Sequence, residues 1–163
     1  MADSTAVNQQ LADGITAEVA GLEEFKKLLQ AEQSALVAGD VSLLVAISEQ
    51  KNSHVDKLNG LAAQRIASIQ TLGFTADKDG MQKWLRDTGG TPSKLWKSML
   101  SLAAEIQHTN EVNGKLIHTR LQVTQRTLSA LLTAVNQVSL YGPSGRPDST
   151  PQSSNVRGII GKA

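Results

Sequence analysis

The sequence predicts an all-α protein: an antiparallel helical hairpin plus a long third helix, with a short connector helix between them and a flexible C-terminal tail. Three observations carry this reading. Apolar residues recur at alternating spacings of three and four along most of the 163 residues, the period of amphipathic helices with one sticky stripe. No proline falls between Pro92 and Pro143, so nothing in that stretch forces a helix to break. Only 3% of residues are aromatic, and a core of Leu, Ile, Val and Ala suits helices packed in rows better than a sheet.

The first helix begins near Ser4 or Thr5, either of which can cap it. Its seam is Leu11, Ile15, Leu22, Phe25, Leu29 and Leu36; four of these, Ile15, Leu22, Leu29 and Leu36, stand a coiled-coil seven apart. Val19 and Leu28 widen the stripe enough to touch two neighbours. Gly39 ends this helix and Asp40 caps the next, and so short a turn makes the two antiparallel. The second helix, about residues 41–72, carries Leu44, Ile47, Leu58, Leu61, Ile66, Ile69 and Leu72, with Lys51 and His54 interrupting the stripe. Gly73-Phe74 stops it. In the connector, Asp79 is expected to cap a short helix from about Gly80 to Arg86 that holds Met81, Trp84 and Leu85. Phe74, Trp84 and Trp96 are expected to plug the open end of the hairpin near Leu11 and Ile15, because aromatic side chains bury the most area per residue.

Thr91-Pro92 opens the long helix with a cap and a proline at the first helical position. Its stripe runs through Leu95, Met99, Leu102, Ile106, Ile117, Leu121, Leu128, Leu131, Val135 and Val138 to Leu140, roughly 70 Å at 1.5 Å per residue. From Tyr141 onward Gly, Pro and Ser dominate. The chain therefore divides into a helical bundle, 1–140, and a flexible tail, 141–163.

Two consequences follow from aligning the helices by length, with the long helix starting beside the start of the first. His54 then lies opposite Glu24, and both lie level with Asn110 to Asn113. The breaks in the stripes coincide as a polar layer of Lys51, His54, Asn110 and Asn113, a pattern that fixes register or marks where the bundle opens to a partner helix. The first helix is also only about 50 Å long, so the hairpin runs out near Thr127. Leu128, Leu131, Leu132, Val135, Val138 and Leu140 are left without cover unless the helix folds back at Gly114. An apolar helix face left in water marks a partner site or self-association.

The composition narrows the function classes. A formal charge of +1 gives no electrostatic reason to expect nucleic acid or an anionic membrane as partner. There is no cysteine, hence no disulfide framework or thiolate metal site. Met1-Ala2-Asp3-Ser4-Thr5 is not the start of a secretion signal, and no run approaches the roughly 20 apolar residues of a membrane span; the expected location is cytoplasmic. Glu105-Ile-Gln-His108 has the E-x-x-H spacing of di-iron bundles, but those need two such motifs and two further carboxylates. His54-Val-Asp-Lys57 faintly resembles a phosphoacceptor segment, yet Leu58 stands where that pattern has glycine, and His54 sits on a seam. His54, His108 and His118 include no pair three or four apart, so no helical metal pair is expected. Gly158-Ile-Ile-Gly161-Lys162 is too short for a phosphate loop. Arg120 and Arg126 read as a solvated face. No nucleophile, base and orienter come together; neither catalysis nor a cofactor is expected.

Asn110-Glu-Val-Asn113-Gly114-Lys-Leu-Ile117, a leucine-rich helix and then Leu140-Tyr141-Gly142-Pro-Ser-Gly145 resemble the FlgN-type flagellar export chaperones. The hairpin turn at Gly39-Asp40, Gln50-Lys51 within the second helix and the closing Arg157-Gly158-Ile159-Ile160-Gly161-Lys162-Ala163 are similar too. The resemblance implies a cytoplasmic, non-enzymatic helical protein. Such a protein binds hook-associated proteins of the FlgK/FlgL type and delivers them to the flagellar type III export apparatus. It also implies a client site on the leucine-rich stretch from Leu128 to Leu140 and an export-gate contact at Tyr141. The alternative reading is a structural or adaptor bundle that self-assembles through the same face and has no secretion client.

Overall fold

The computed structural model describes residues 2–140, and the side chains of residues 4–135. It contains helices α1 (Ala2–Ala38), α2 (Val41–Thr71), α3 (Lys78–Thr88) and α4 (Gly90–Leu140), with no strand among the described residues. The expected all-α class and element order are therefore observed. The described residues divide into two units, with the boundary between Thr119 and Arg120.

Within the first unit, turn chemistry sets the topology. Gly39 has φ 77°, a left-handed conformation that glycine adopts without a side-chain clash. The N–H groups of Gly39 and Asp40 both return to the Ala35 carbonyl, at 2.8 and 3.1 Å. Asp40 then accepts the Leu43 N–H at 3.0 Å and starts α2. At the other end of α2, the Phe74 N–H bonds the Ile69 carbonyl and the Gly73 N–H bonds the Gln70 carbonyl. That pair of bonds, with Gly73 at φ 84°, is a Schellman stop that satisfies the orphan carbonyls of the last turn.

Side-chain pairs give the directions. Glu18–Arg65 at 2.8 Å, Glu24–Lys57 at 3.2 Å and Glu32–Lys51 at 2.9 Å show α2 descending as α1 ascends. Lys26 pairs with Glu105, and Asn113 reaches Leu29 and Glu32, so α4 runs parallel to α1 over this unit.

Two apolar clusters form the core. One joins Leu11 and Ile15 of α1, Ile69 of α2 and Met81, Trp84 and Leu85 of α3, with Phe74, Leu95 and Trp96 packed against it. This is the aromatic plug expected at the open end of the hairpin. Trp84 is buried, and its indole N–H donates to Asn8 Oδ1 at 2.7 Å, so the polar edge of the ring is satisfied as its face is buried. The second cluster joins Phe25, Leu28, Leu29 and Ala35 to Ile47, with Leu44, Leu58 and Ile106 against it. Between them, Gly21 is buried, and a Cβ there would lie 3.0 Å from the Leu58 side chain; the missing side chain lets α1 and α2 approach closely.

Several boundaries and assignments differ from expectation. The cap of α3 is Asp77, not Asp79: Asp77 Oδ1 accepts the Gly80 N–H at 2.8 Å and the Thr75 hydroxyl at 2.7 Å. The same turn brings the Thr75 carbonyl oxygen onto the space that a Gly80 Cβ would fill. α4 begins at Gly90 rather than Thr91, a difference of the size by which helix ends fray. Ile66, placed on the α2 seam by its spacing, is 39% exposed. The register of α4 also differs. Equal starts would set Asn110 to Asn113 beside Glu24, whereas Asn113 sits at Leu29 and Glu32, roughly two turns further along α1. The cause is α3: its Trp84 docks beside the second turn of α1 at Asn8, so α4 enters only at the level of Leu11 and Ile15.

The Thr75 and Gly80 hydrogen bonds hold the Asp77 carboxyl below its ordinary 3.8, because both stabilise the charged form. A carboxylate whose folded-state pKa is depressed adds stability above the unfolded value. That stability is lost as pH falls through the folded value. Asp77→Asn keeps the acceptor oxygen but cannot titrate. Circular-dichroism melts should therefore show a shallower fall in unfolding midpoint for Asp77→Asn than for the natural chain as pH drops below about 3.8; equal slopes would dismiss the cap as an acid-sensitive contact.

Candidate functional site

Two features could serve function: a polar layer inside the first unit and an apolar helix stretch in the second. The polar layer is built on α1. Taking its seam in steps of three and four gives Ile15, Glu18, Leu22, Phe25, Leu29, Glu32 and Leu36. Two glutamates thus occupy seam positions fourteen residues apart, and both are buried. On α2 their partners, Lys51 and Arg65, are also fourteen apart, which an antiparallel pair of helices requires. The Arg65 Nε–H donates to Glu18, while Lys51 donates to both oxygens of Glu32, at 2.9 and 3.0 Å.

α4 completes each pair. The Arg65 guanidinium lies 5.2 Å from the centre of the Trp96 ring, within cation–π range. Asn113 is 1% exposed; its Nδ2 donates to the Leu29 carbonyl at 2.9 Å and to Glu32 Oε2 at 2.8 Å. Lys51 Nζ also donates to Asn110 Oδ1 at 3.3 Å. Of the four residues predicted as one layer, Lys51, Asn110 and Asn113 meet around Glu32. His54 does not join them. It is half-buried beside Phe25, ring centres 6.3 Å apart, and its Nδ1 is buried without a hydrogen bond. Glu32 was missed as the centre of the layer because only apolar residues were counted along the seam; its spacing from Leu29 and Leu36 was the available signal.

The residues singled out for catalysis do not converge. Glu105 and His108 are exposed. Glu105 bonds Lys26, whose hydrogen bond and positive charge hold its carboxyl below the ordinary 4.5. Among the described residues, no group of three His, Cys, Asp or Glu side chains is placed to hold a metal ion. No described helix is long and apolar enough to cross a membrane.

In the second unit, every residue from Arg120 to Val135 is exposed. Leu121, Leu128 and Val135 stand seven apart, as do Thr124 and Leu131, so they share one face of the helix. Leu128, Leu131, Leu132 and Val135 are 57%, 58%, 56% and 63% exposed. Val138 and Leu140 lie in α4, but their side chains fall outside the described residues, and Tyr141 and the tail 141–163 lie outside them altogether.

The fold and these features define a class: an all-α protein whose buried polar groups tie helices together and whose last helix carries a leucine-rich stretch exposed to water. A family model described as FlgN protein matches residues 1–149, and the chain belongs to that family, the flagellar synthesis proteins called FlgN. It is 28% identical over 140 residues to the "Flagella synthesis protein FlgN" of Proteus mirabilis, covering 85% of this chain and 90% of the relative. It is 26% identical over 141 residues to the "Flagella synthesis protein FlgN" of Yersinia enterocolitica, again covering 85% and 90%. No solved structure matches the chain.

Replacing one partner of a buried ion pair strands the other charge. Glu32→Leu should cost about 3 kcal/mol, the low end of the usual range because Lys51 keeps some access to water. Adding Lys51→Leu should restore most of that loss. Urea unfolding of the two variants checks this; a double variant no more stable than Glu32→Leu would show that the charge pairing does not explain the loss.

Proposed function

We propose that this FlgN-family protein is a cytoplasmic export chaperone. It binds hook-associated proteins of the FlgK/FlgL type along Leu128, Leu131, Leu132, Val135, Val138 and Leu140, and brings them to the flagellar type III export apparatus through a contact at Tyr141. The observation that carries the reading is the exposure of four large aliphatic side chains within two turns of helix, from Leu128 to Val135, in a chain of this family. An exposed apolar helix face is suited to an amphipathic partner helix. Burial would contribute about 25 cal/mol per Å² before the costs of ordering. In this reading, the Glu32 layer fixes the register of the three helices and takes no part in client binding.

The same heptad spacing favours a second reading, in which two copies pair through this face without a client. Light scattering across a concentration series separates the two: a chaperone forms a defined complex with its client, while an assembly module grows alone.

Titration calorimetry of the full chain against a hook-associated protein tests the first reading. Leu131→Asp with Val135→Asp should abolish binding and leave helical circular dichroism unchanged. Added salt should barely weaken binding by the natural chain, since apolar contacts are not screened. Tyr141→Ala should keep client binding and impair export. Persistence of binding in the Asp double variant would move the client site elsewhere.

A further inference from the structure

A second surface lies in the first unit, apart from the proposed client face. Leu100 is 49% exposed and Ile66 is 39% exposed, while Trp96 beside them is only half-buried. A groove of about 440 Å³ runs between α3 and α4, floored by Leu85, Trp96 and Leu100 and walled by Arg86 and Lys97. A second groove, about 470 Å³, lies on the other side of Trp96 and Leu100; it reaches Ile66 and is edged by Lys78, Arg65 and Asp77. Each volume suits one or two large side chains of a ligand.

The charges around this ridge are not evenly committed. Asp77, the one carboxylate on either lining, is occupied as the cap of α3, accepting from Gly80 and Thr75. Arg65 is occupied by Glu18 and lies over Trp96. Lys78, Arg86 and Lys97 form no ion pair among the described residues. The surface therefore offers an apolar ridge with a groove on each side and an uncommitted rim that is entirely cationic. Three cations are few for a polyanion, whose binding grows with each phosphate neutralised, and they do not account for the exposed Leu100 and Ile66. A ligand with both apolar anchors and carboxylates satisfies both features.

We propose that the Trp96–Leu100 ridge is a second docking site, and that its occupant is an acidic amphipathic helix of a partner protein. The partner's apolar face fills the two grooves and its carboxylates meet Lys78, Arg86 and Lys97. This would let the chain hold two proteins at once, one on each unit.

The test is an NMR titration of the full chain with two synthetic helical peptides, one with leucines on one face and glutamates on the other, and one with lysines in place of the glutamates. The glutamate peptide should shift the indole N–H of Trp96 and leave that of Trp84, which is buried and bonded to Asn8. Arg86→Glu with Lys97→Glu should weaken binding about tenfold, and Leu100→Asp should remove the Trp96 shift. The comparison of the two peptides on the natural chain does not depend on either variant folding. Equal binding of the lysine peptide, a stationary Trp96 indole, or a Trp96 shift with anionic lipid vesicles but not with the glutamate peptide would each overturn the proposal. Because the Leu131→Asp, Val135→Asp variant should bind the glutamate peptide normally, failure of this site and failure of the client face are distinguishable.

Discussion

Two acid–base pairs, Glu18–Arg65 and Glu32–Lys51, constrain the register of the first unit in a way that its apolar contacts do not. A leucine seam alone is tolerant: sliding one helix by a heptad puts leucine against leucine again. Two glutamates on one helix, matched by an arginine and a lysine at the same separation on an antiparallel neighbour, do not tolerate that slide. A shift of seven residues would leave both a carboxylate and a cation buried against aliphatic side chains, a state whose desolvation cost nothing nearby offsets. The pairs add little net stability relative to apolar residues of the same shape; their effect is to make the wrong registers much worse.

The third helix uses the same chemistry. Trp96 lies against Arg65, and Asn113 completes the hydrogen bonding of Glu32. One aromatic face and one amide therefore locate α4 on the hairpin at two levels, and the aliphatic residues between, Met99 and Ile106 among them, are carried into contact. The plug formed by Met81, Trp84 and Leu85 acts on a different quantity. It covers the open end of the hairpin, and by filling the space beside the first turns of α1 it decides where α4 can enter.

Much of this was legible in the sequence. Gly39-Asp40 and Gly73-Phe74 specify their turns because only particular backbone and side-chain chemistry closes a helix. The grouping of Phe74, Trp84 and Trp96 pointed to a capped end. What escaped were choices between near-equal local signals. Asp77 and Asp79 are both plausible caps, and the Thr75 hydroxyl together with the close approach at Gly80 selects the first. Ile66 has seam spacing, yet α4 does not cover it at that level. Glu18 and Glu32 have seam spacing too, but a carboxylate is normally outside, and their burial depends on Arg65 and Lys51, cations that lie far away in the chain.

The sequence by itself determined the helices, their order, their turns and the concentration of aliphatic residues from Leu128 to Val135, because each depends on residues within a few positions of one another. Only the tertiary structure decided the register of α4, the burial of the two glutamates and the Trp96–Leu100 ridge. Those depend on which side chains from distant segments arrive at the same level, a matter of packing volume and charge pairing that local periodicity does not contain.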